Sequence, residues 1–309
     1  MEMGTSTISN TTDAKRLGIK CIQVNLQHVR AATANLMKAA AEDGTDIIFI
    51  QEPYTIQSKV VGISTKYKIF TAGEGRYRAA VLATNSLIDT MLIQQLSDAD
   101  TVAVEIIRGS TKIIAVSMYF DREHQIEQDL EKMELVLQHA KGTGVLFASD
   151  SNARSKLWHD NLTNTRGRIL EEYITSKLLY IINEESIYTT FRNRSGSSNI
   201  DLTIISSQLL DSLSGWIISD LESISDHSII KYAIKPGIDK WHEKNAPHTR
   251  YKTSKESLTN FQSNLLQIMR NKIGISCNDT REVDLDDTLC SLLTDETEIE
   301  KRIDDFMRR

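Results

Sequence analysis

From Leu17 onward the apolar positions of this chain fall into two rhythms. Short runs rich in β-branched residues read as strands: "IKCIQVNL", "DIIFIQE", "YKIFTA", "RAAVLAT", "TVAVEII" and "KIIAVSMYF". The turn "RGST" joins the last two. "ATANLMKAAAEDG" reads instead as an Ala-rich helix stopped by Gly44. "EHQIEQDLEKMELVLQHA" carries apolar residues at helical spacing, at Ile126, Leu130, Met133, Leu135, Val136 and Leu137. The strand "VLFAS", the helix "RGRILEEYITSKLL", the strands "SIYTTFR" and "NIDLTII", and the strand-like "WIIS" and "SIIKYAI" follow. Short turns demand antiparallel neighbours, whereas helices between strands demand crossovers. The pattern therefore predicts an α/β fold of mixed sheets packed face to face with helices outside, not a doubly wound parallel sheet. Residues 1–17 are polar and Ser/Thr-rich and read as a disordered tail. Beyond Pro236 the chain turns polar, so 237–309 reads as a linker and a weakly helical connector.

Composition adds few surprises. The chain has 309 residues, 40% hydrophobic and 25% charged, which fits one globular core with appendages. Cys21, Cys277 and Cys290 are odd in number and widely spaced, so neither a zinc ribbon nor a disulfide framework is suggested. No signal-peptide core and no membrane-length apolar run occurs, which points to a reducing, intracellular compartment and no membrane partner. The formal net charge of −6 argues against a protein that coats nucleic acid. Its distribution is uneven: Arg154, Lys156, Arg166, Arg168, Arg192 and Arg194 gather in one segment.

Several strands share one feature. Each runs apolar and then ends in a side chain able to bind a metal or a phosphate. The ends are Asn25, Glu52, Tyr119, Asp150 with Asn152, Asp201, and Asp226 with His227. Singly, each has an ordinary explanation as a turn residue, a helix cap or a half-buried ring. Gathered at one edge, they would form a cup of carboxylates, amides, a phenol and an imidazole. Hard oxygen ligands suit Mg²⁺. Phosphodiester cleavage needs charge neutralised on the phosphate oxygens and a water held in line and partly deprotonated. A carboxylate can accept that proton, and an imidazole held by a second carboxylate can donate to the phosphate.

The ordered set "QVNLQH", "FIQEPY", "SMYF", "SDSNARSKLW", "TRGRILEEYI", "SSNIDLTI" and "SDHSII" resembles the endonuclease/exonuclease/phosphatase superfamily. Within it, the set is similar to the endonuclease domain of insect non-LTR retrotransposon polyproteins, over about residues 18–236. The resemblance implies a four-layer α/β sandwich, DNase I-like. It implies that Glu52, Asn25 and Asp226 hold or border a catalytic Mg²⁺, with Mn²⁺ as a substitute. Asp150 would activate the attacking water, Asn152 fix the phosphate or nucleophile, and Tyr119 bond a phosphate oxygen. Asp201 would orient His227, which would stabilise the charged transition state. The substrate would be double-stranded chromosomal DNA, hence a nuclear location, and the nick would prime reverse transcription. The element's own RNA and reverse transcriptase would be partners. The cationic segment would grip the DNA backbone, with "FRNRSGSSN" as a groove reader. Trp158 reads as a packing anchor.

Gln27 stands where abasic-site enzymes of this fold carry an acid, and Ser198 where they carry a Trp. Both departures favour the retrotransposon branch over the repair branch. "SSNIDLTI" likewise differs from the Trp-containing segment of inositol-polyphosphate phosphatases. A phosphatase of the same fold acting on a small phosphorylated molecule remains the alternative. Ser149 replaces the Gly common before the catalytic Asp, and the prolines usual after "SMYF" are missing. Both would fit a degenerate copy of reduced activity. No Tyr-x-Asp-Asp motif occurs, so no reverse-transcriptase site is expected in the chain.

Overall fold

A computed structural model describes residues 18–235. The expected tail at 1–17 and connector at 237–309 lie outside the described residues.

The described residues begin with a crossover. Strand β1 (Ile19–Asn25) leads through helix α1 (Arg30–Asp43) to β2 (Ile47–Gln51), parallel to β1. Gly44 closes α1 in the left-handed region at φ 61°, a conformation that a Cβ disfavours. A small hairpin of β3 (Thr55–Ile56) and β4 (Lys59–Val60) precedes β5 (Lys68–Phe70) and β6 (Ala79–Ala83). The second sheet begins as a meander of β7 (Asp89–Leu92), β8 (Thr101–Arg108) and β9 (Thr111–Tyr119). A second crossover, through α2 (Glu127–Ala140), reaches β10 (Gly144–Asp150), parallel to β9. There follow α3 (Thr165–Ser176), β11 (Leu179–Ile181), a hairpin of β12 (Phe191–Asn193) and β13 (Gly196–Ser198), then β14 (Asp201–Ser206), β15 (Leu213–Ile218) and β16 (Ile230–Ile234).

The first sheet runs β15-β16-β1-β2-β6-β5 and the second β11-β14-β10-β9-β8-β7. Three apolar clusters define the layers. One lies between the sheets, with Cys21, Phe49, Val81, Val104, Ala115, Leu146 and Ile205. A second joins α1 to the outer face of the first sheet through Leu36, Ala39, Ile22 and Ile48. The third joins α2 and α3 to the second sheet through Met133, Val136, Leu170 and Phe147. This is the expected four-layer sandwich.

Side chains alternate along a strand, and here the alternation sets the chemistry. On the inter-sheet faces, β1 presents Ile19, Cys21, Gln23 and Asn25, and β2 presents Ile47, Phe49 and Gln51. On the facing sheet, β9 presents Ile113, Ala115, Ser117 and Tyr119; β10 presents Leu146, Ala148 and Asp150; β14, in reverse, presents Ile205, Thr203 and Asp201. Each face begins apolar: β1, β9 and β14 pass through an amide or hydroxyl to Asn25, Tyr119 and Asp201, β10 stays apolar up to Asp150, and β2 stops at Gln51, one residue short of Glu52.

The middle layer is a buried hydrogen-bond network. Gln23 Nε2 donates to the carbonyls of Leu202 and Ser149 at 3.1 and 3.3 Å. Gln51 Nε2 donates to Ser117 Oγ and the Ala148 carbonyl, both at 3.0 Å. Thr203 Oγ1 donates to Gln23 Oε1 at 2.9 Å and accepts from Trp216 Nε1 at 3.0 Å. These bonds tie the two sheets together directly beneath the polar tips.

Two expected elements differ. The sequence predicts one strand over "SIYTTFR", yet only Phe191–Asn193 pairs, and the groove-reader candidate "FRNRSGSSN" is the β12–β13 hairpin. Thr190 interrupts the ladder, because its hydroxyl accepts the N–H groups of Ile200 and Asp201 at 3.0 and 3.1 Å. The strands β3, β4, β7 and β11, two to four residues each, carry too few residues to announce themselves as runs.

Candidate active site

The polar tips converge. Asn25 is fully buried, and its Nδ2 donates to Asp150 Oδ2 at 2.8 Å. Its Oδ1 accepts the Gln27 N–H at 2.7 Å, which fixes the amide orientation. The other Asp150 oxygen accepts the Asn152 N–H at 3.2 Å. Asn152 in turn donates to the Phe120 carbonyl at 2.9 Å. Asp201 pairs with Asp150 across β14 and β10, and both its oxygens face His227 Nδ1, at 2.9 and 3.0 Å. A carboxylate only accepts, so Nδ1 carries the proton and Nε2 is left facing Asp150, 3.8 Å from its Oδ2.

Glu52 stands just past the end of β2 at φ 45°, and Asn152 at φ 47°. Gln27 and His28 share this conformation, at φ 48° and 56°, so the site holds its backbone repeatedly where side chains seldom go. The positive φ turns Glu52 out of the strand's alternation, and the residue is partly exposed. His28 Nε2 lies 3.3 Å from Glu52 Oε1, while His28 Nδ1 donates to the Pro53 carbonyl at 2.8 Å.

Electrostatics separate the two carboxylates. Burial raises the Glu52 pKa, but the neighbouring His28 and Asn25 side chains outweigh it, with the charge of His227, and hold this group below its ordinary value. Burial, with Asp201 nearby, pushes Asp150 up to about 7 against the pull of His227 and Asn25. Burial lowers His227, yet Asp201 and Asp150 outweigh it and raise the imidazole to about 9. Tyr119 is pushed up to about 12, by burial first and then by Glu52 and Asp150.

Asp150, Asp201 and His227 bring ligand-capable atoms within 4.8 Å of one another. Their geometry is that of a carboxylate-oriented imidazole beside a second carboxylate, since both Asp201 oxygens are engaged by Nδ1. The donors left to meet a hard cation are Glu52, charged and partly open, and the oxygens of Asn25 and Asp150. That all-oxygen set fits Mg²⁺ or Mn²⁺ better than a softer ion.

Asp226 sits exposed at the rim. Gln27 holds it, accepting its N–H at 2.9 Å and reaching its Oδ2 at 3.4 Å. The six cations divide. Arg154 turns inward onto the buried Asp160, at 2.9 Å from Nε and 2.8 Å from Nη2. Arg166 donates to the His124 carbonyl at 2.8 Å and lies 3.8 Å from Asp129. Lys156, Arg168, Arg192 and Arg194 are exposed. Trp158 is fully buried in the helix-side core, as a packing anchor should be. Ser149 lies in ordinary strand backbone, pairing with Leu202 and Met118, so nothing here requires glycine.

Sequence reasoning missed the supports. Arg78 binds Asp100 bidentately at 2.6 and 2.7 Å, ion-pairs with Asp121, and lies 5.1 Å from the Tyr119 ring centre. Its carbonyl accepts the Glu52 N–H at 2.9 Å. His28 stands within "QVNLQH" with nothing local to give it a role, and no spacing rule singles out Arg78, Asp100 or Asp121.

Residues 113–231 match a family described as endonuclease-reverse transcriptase. The chain is 26% identical over 225 residues to the "Putative 115 kDa protein in type-1 retrotransposable element R1DM" of Drosophila melanogaster, covering 70% of this chain and 22% of that protein. It is 26% identical over 191 residues to the Pol polyprotein of type-1 retrotransposable element R1 of Bradysia coprophila, covering 58% of this chain and 19% of that protein. The chain thus spans about a fifth of the length of these relatives. Among solved structures, the endonuclease domain of TRAS1, a telomere-specific non-LTR retrotransposon, superposes with a TM-score of 0.65 at 30% identity, over 71% of this chain and 99% of that one.

Proposed function

The chain belongs to the endonuclease/exonuclease/phosphatase superfamily, in the branch of non-LTR retrotransposon endonuclease domains, and from that premise we propose that it is a Mg²⁺-dependent endonuclease that nicks chromosomal DNA to prime reverse transcription. The catalytic domain spans 18–236. One observation carries the reading: tips from β1, β10 and β14 gather beside the imidazole of His227, with Asn25 hydrogen-bonded to Asp150, Asp201 hydrogen-bonded to Nδ1, and Nε2 3.8 Å from Asp150.

Glu52 and Asn25 would hold the metal, with Asp226 beside them, and the bound ion would supply positive charge to the phosphate oxygens and the leaving group. Asp150, made more basic than an ordinary carboxylate by burial, accepts the proton of the attacking water. Asn25 and the Asn152 N–H hold its two oxygens in place. Asn152 fixes the phosphate or the nucleophile from beside Asp150. His227, charged and aimed by Asp201, donates from Nε2 to a phosphate oxygen as negative charge builds there. Tyr119, kept protonated, donates to another. Lys156, Arg168, Arg192 and Arg194 contact the DNA backbone, and the β12–β13 hairpin enters a groove. Arg154 and Arg166 act one step back, bracing the loops that carry these contacts. The product keeps a 3′-hydroxyl, and the element's RNA and reverse transcriptase are the next partners, in the nucleus.

Relaxation of supercoiled plasmid, with Mg²⁺ and with EDTA, tests the reading. Nicking with Mg²⁺ and none with EDTA is expected. Hydrolysis of a small phosphate monoester without plasmid nicking would overturn it in favour of a phosphatase.

A further inference from the structure

A single hydrogen-bonded axis fixes where an imidazole points and leaves its plane free to turn about that axis. His227 has one such axis, from Nδ1 to Asp201. On the other side, Nε2 is 3.8 Å from Asp150, too far for a second hydrogen bond. Phe191 supplies the missing constraint. Its ring meets the imidazole edge to face, with centroids 4.8 Å apart and planes at 62°.

The backbones are joined as well. Phe191 and His227 form an antiparallel bridge. It is flanked by the Arg192 N–H donating to the Asp226 carbonyl and the Ser228 N–H donating to the Thr190 carbonyl, each at 2.7 Å. Thr190 also accepts the Asp201 N–H at 3.1 Å. The base of the β12–β13 hairpin therefore grips both members of the His–Asp pair. Its outer part carries the exposed Arg192 and Arg194.

We infer that Phe191 is a positioning residue that sets the plane of the His227 imidazole and makes that plane depend on how the hairpin is seated. The inference rests on the proposed role of His227 at the phosphate. Phe191 acts only through His227. A hairpin drawn onto DNA by its arginines carries Phe191 with it, so the aim of Nε2 tightens when the target is engaged.

The test compares plasmid nicking by wild type, Phe191→Leu, His227→Ala and the double variant. Leu keeps apolar volume and removes the ring edge. For Phe191→Leu, kcat should fall by about tenfold to a hundredfold while KM for DNA stays within about twofold. The double variant should be no slower than His227→Ala alone, as when one residue acts through another. An equal fold-loss in both backgrounds, or a change confined to KM, overturns the inference. Should Leu lower the melting temperature by more than about 5 °C, Phe191→Met takes its place in the same comparison. Should His227→Ala nick as fast as wild type, the hydrolytic reading itself falls. The positioning claim is then judged from crystal structures of wild type and Phe191→Leu: a turned His227 ring upholds it, and an unmoved ring overturns it.

Discussion

Asp150 occupies a place where folding alone would favour a neutral side chain. It is 2% exposed, beside Asp201, with its pKa raised by burial to about 7. An unfolded aspartate titrates near ~3.9. The folded state therefore holds this proton more tightly, and the Asp150 contribution to stability falls as pH rises from about 4 to about 7. Asparagine cannot titrate. In EDTA, the melting temperature of Asp150→Asn should rise relative to wild type across that window, while nicking is lost. A gap that does not change with pH would contradict the account. Residue types at strand ends are legible in the sequence because few side chains serve metal and phosphate chemistry. The partners that decide what a charge does are not. Arg154 and Arg166 read along the chain as cations for DNA, yet Asp160 and Asp129 draw them inward, and no local pattern reveals a carboxylate met only in three dimensions.

Elements carry the site further than motifs do. Period-two alternation, read from Ile19 through Asn25 or from Leu146 through Asp150, already assigns each tip to the same face as its apolar predecessors. That much is written in the chain. The facing of those strands, and the amide and hydroxyl layer of Gln23, Gln51, Ser117 and Thr203, depends on pairing across the molecule. The Arg-Gly step of "TRGRILEEYI" shows the same limit. Asn164 caps α3, its Oδ1 accepting the Gly167 N–H at 2.7 Å. A Cβ on Gly167 would lie 1.9 Å from the Arg154 carbonyl oxygen. The glycine lets the helix start close against the loop that follows Asp150. Gly167→Ala should cost at least about 2 kcal/mol in urea unfolding and lower nicking by displacing that loop. Unchanged stability would show that the close approach is dispensable.

At the scale of the whole molecule, the layer architecture is legible because hairpins and crossovers alternate in the sequence. The β12–β13 hairpin is not, since its three-residue strands are anchored by Thr190 and Asn199 side chains instead of a long ladder. The net charge of −6 hides four exposed cations on the proposed DNA-binding segment, Lys156, Arg168, Arg192 and Arg194. DNA affinity should therefore fall steeply with salt. Replacing Arg192 and Arg194 by Ala should flatten the slope of log K against log salt by about 2, near 0.9 for each phosphate no longer neutralised. Arg154→Ala should leave that slope unchanged while destabilising the fold, because it leaves the buried Asp160 without its cationic partner. An unchanged slope in the hairpin variant would remove those arginines from the interface. The central claim is that tips far apart in sequence act on one phosphodiester. Its most direct test is Mg²⁺-dependent nicking of supercoiled plasmid by wild type, Asp150→Ala and His227→Ala, side by side. Wild type should nick, and each variant should be slower by at least about a hundredfold. Equal rates in all three, or no nicking by wild type with any divalent ion, would contradict it.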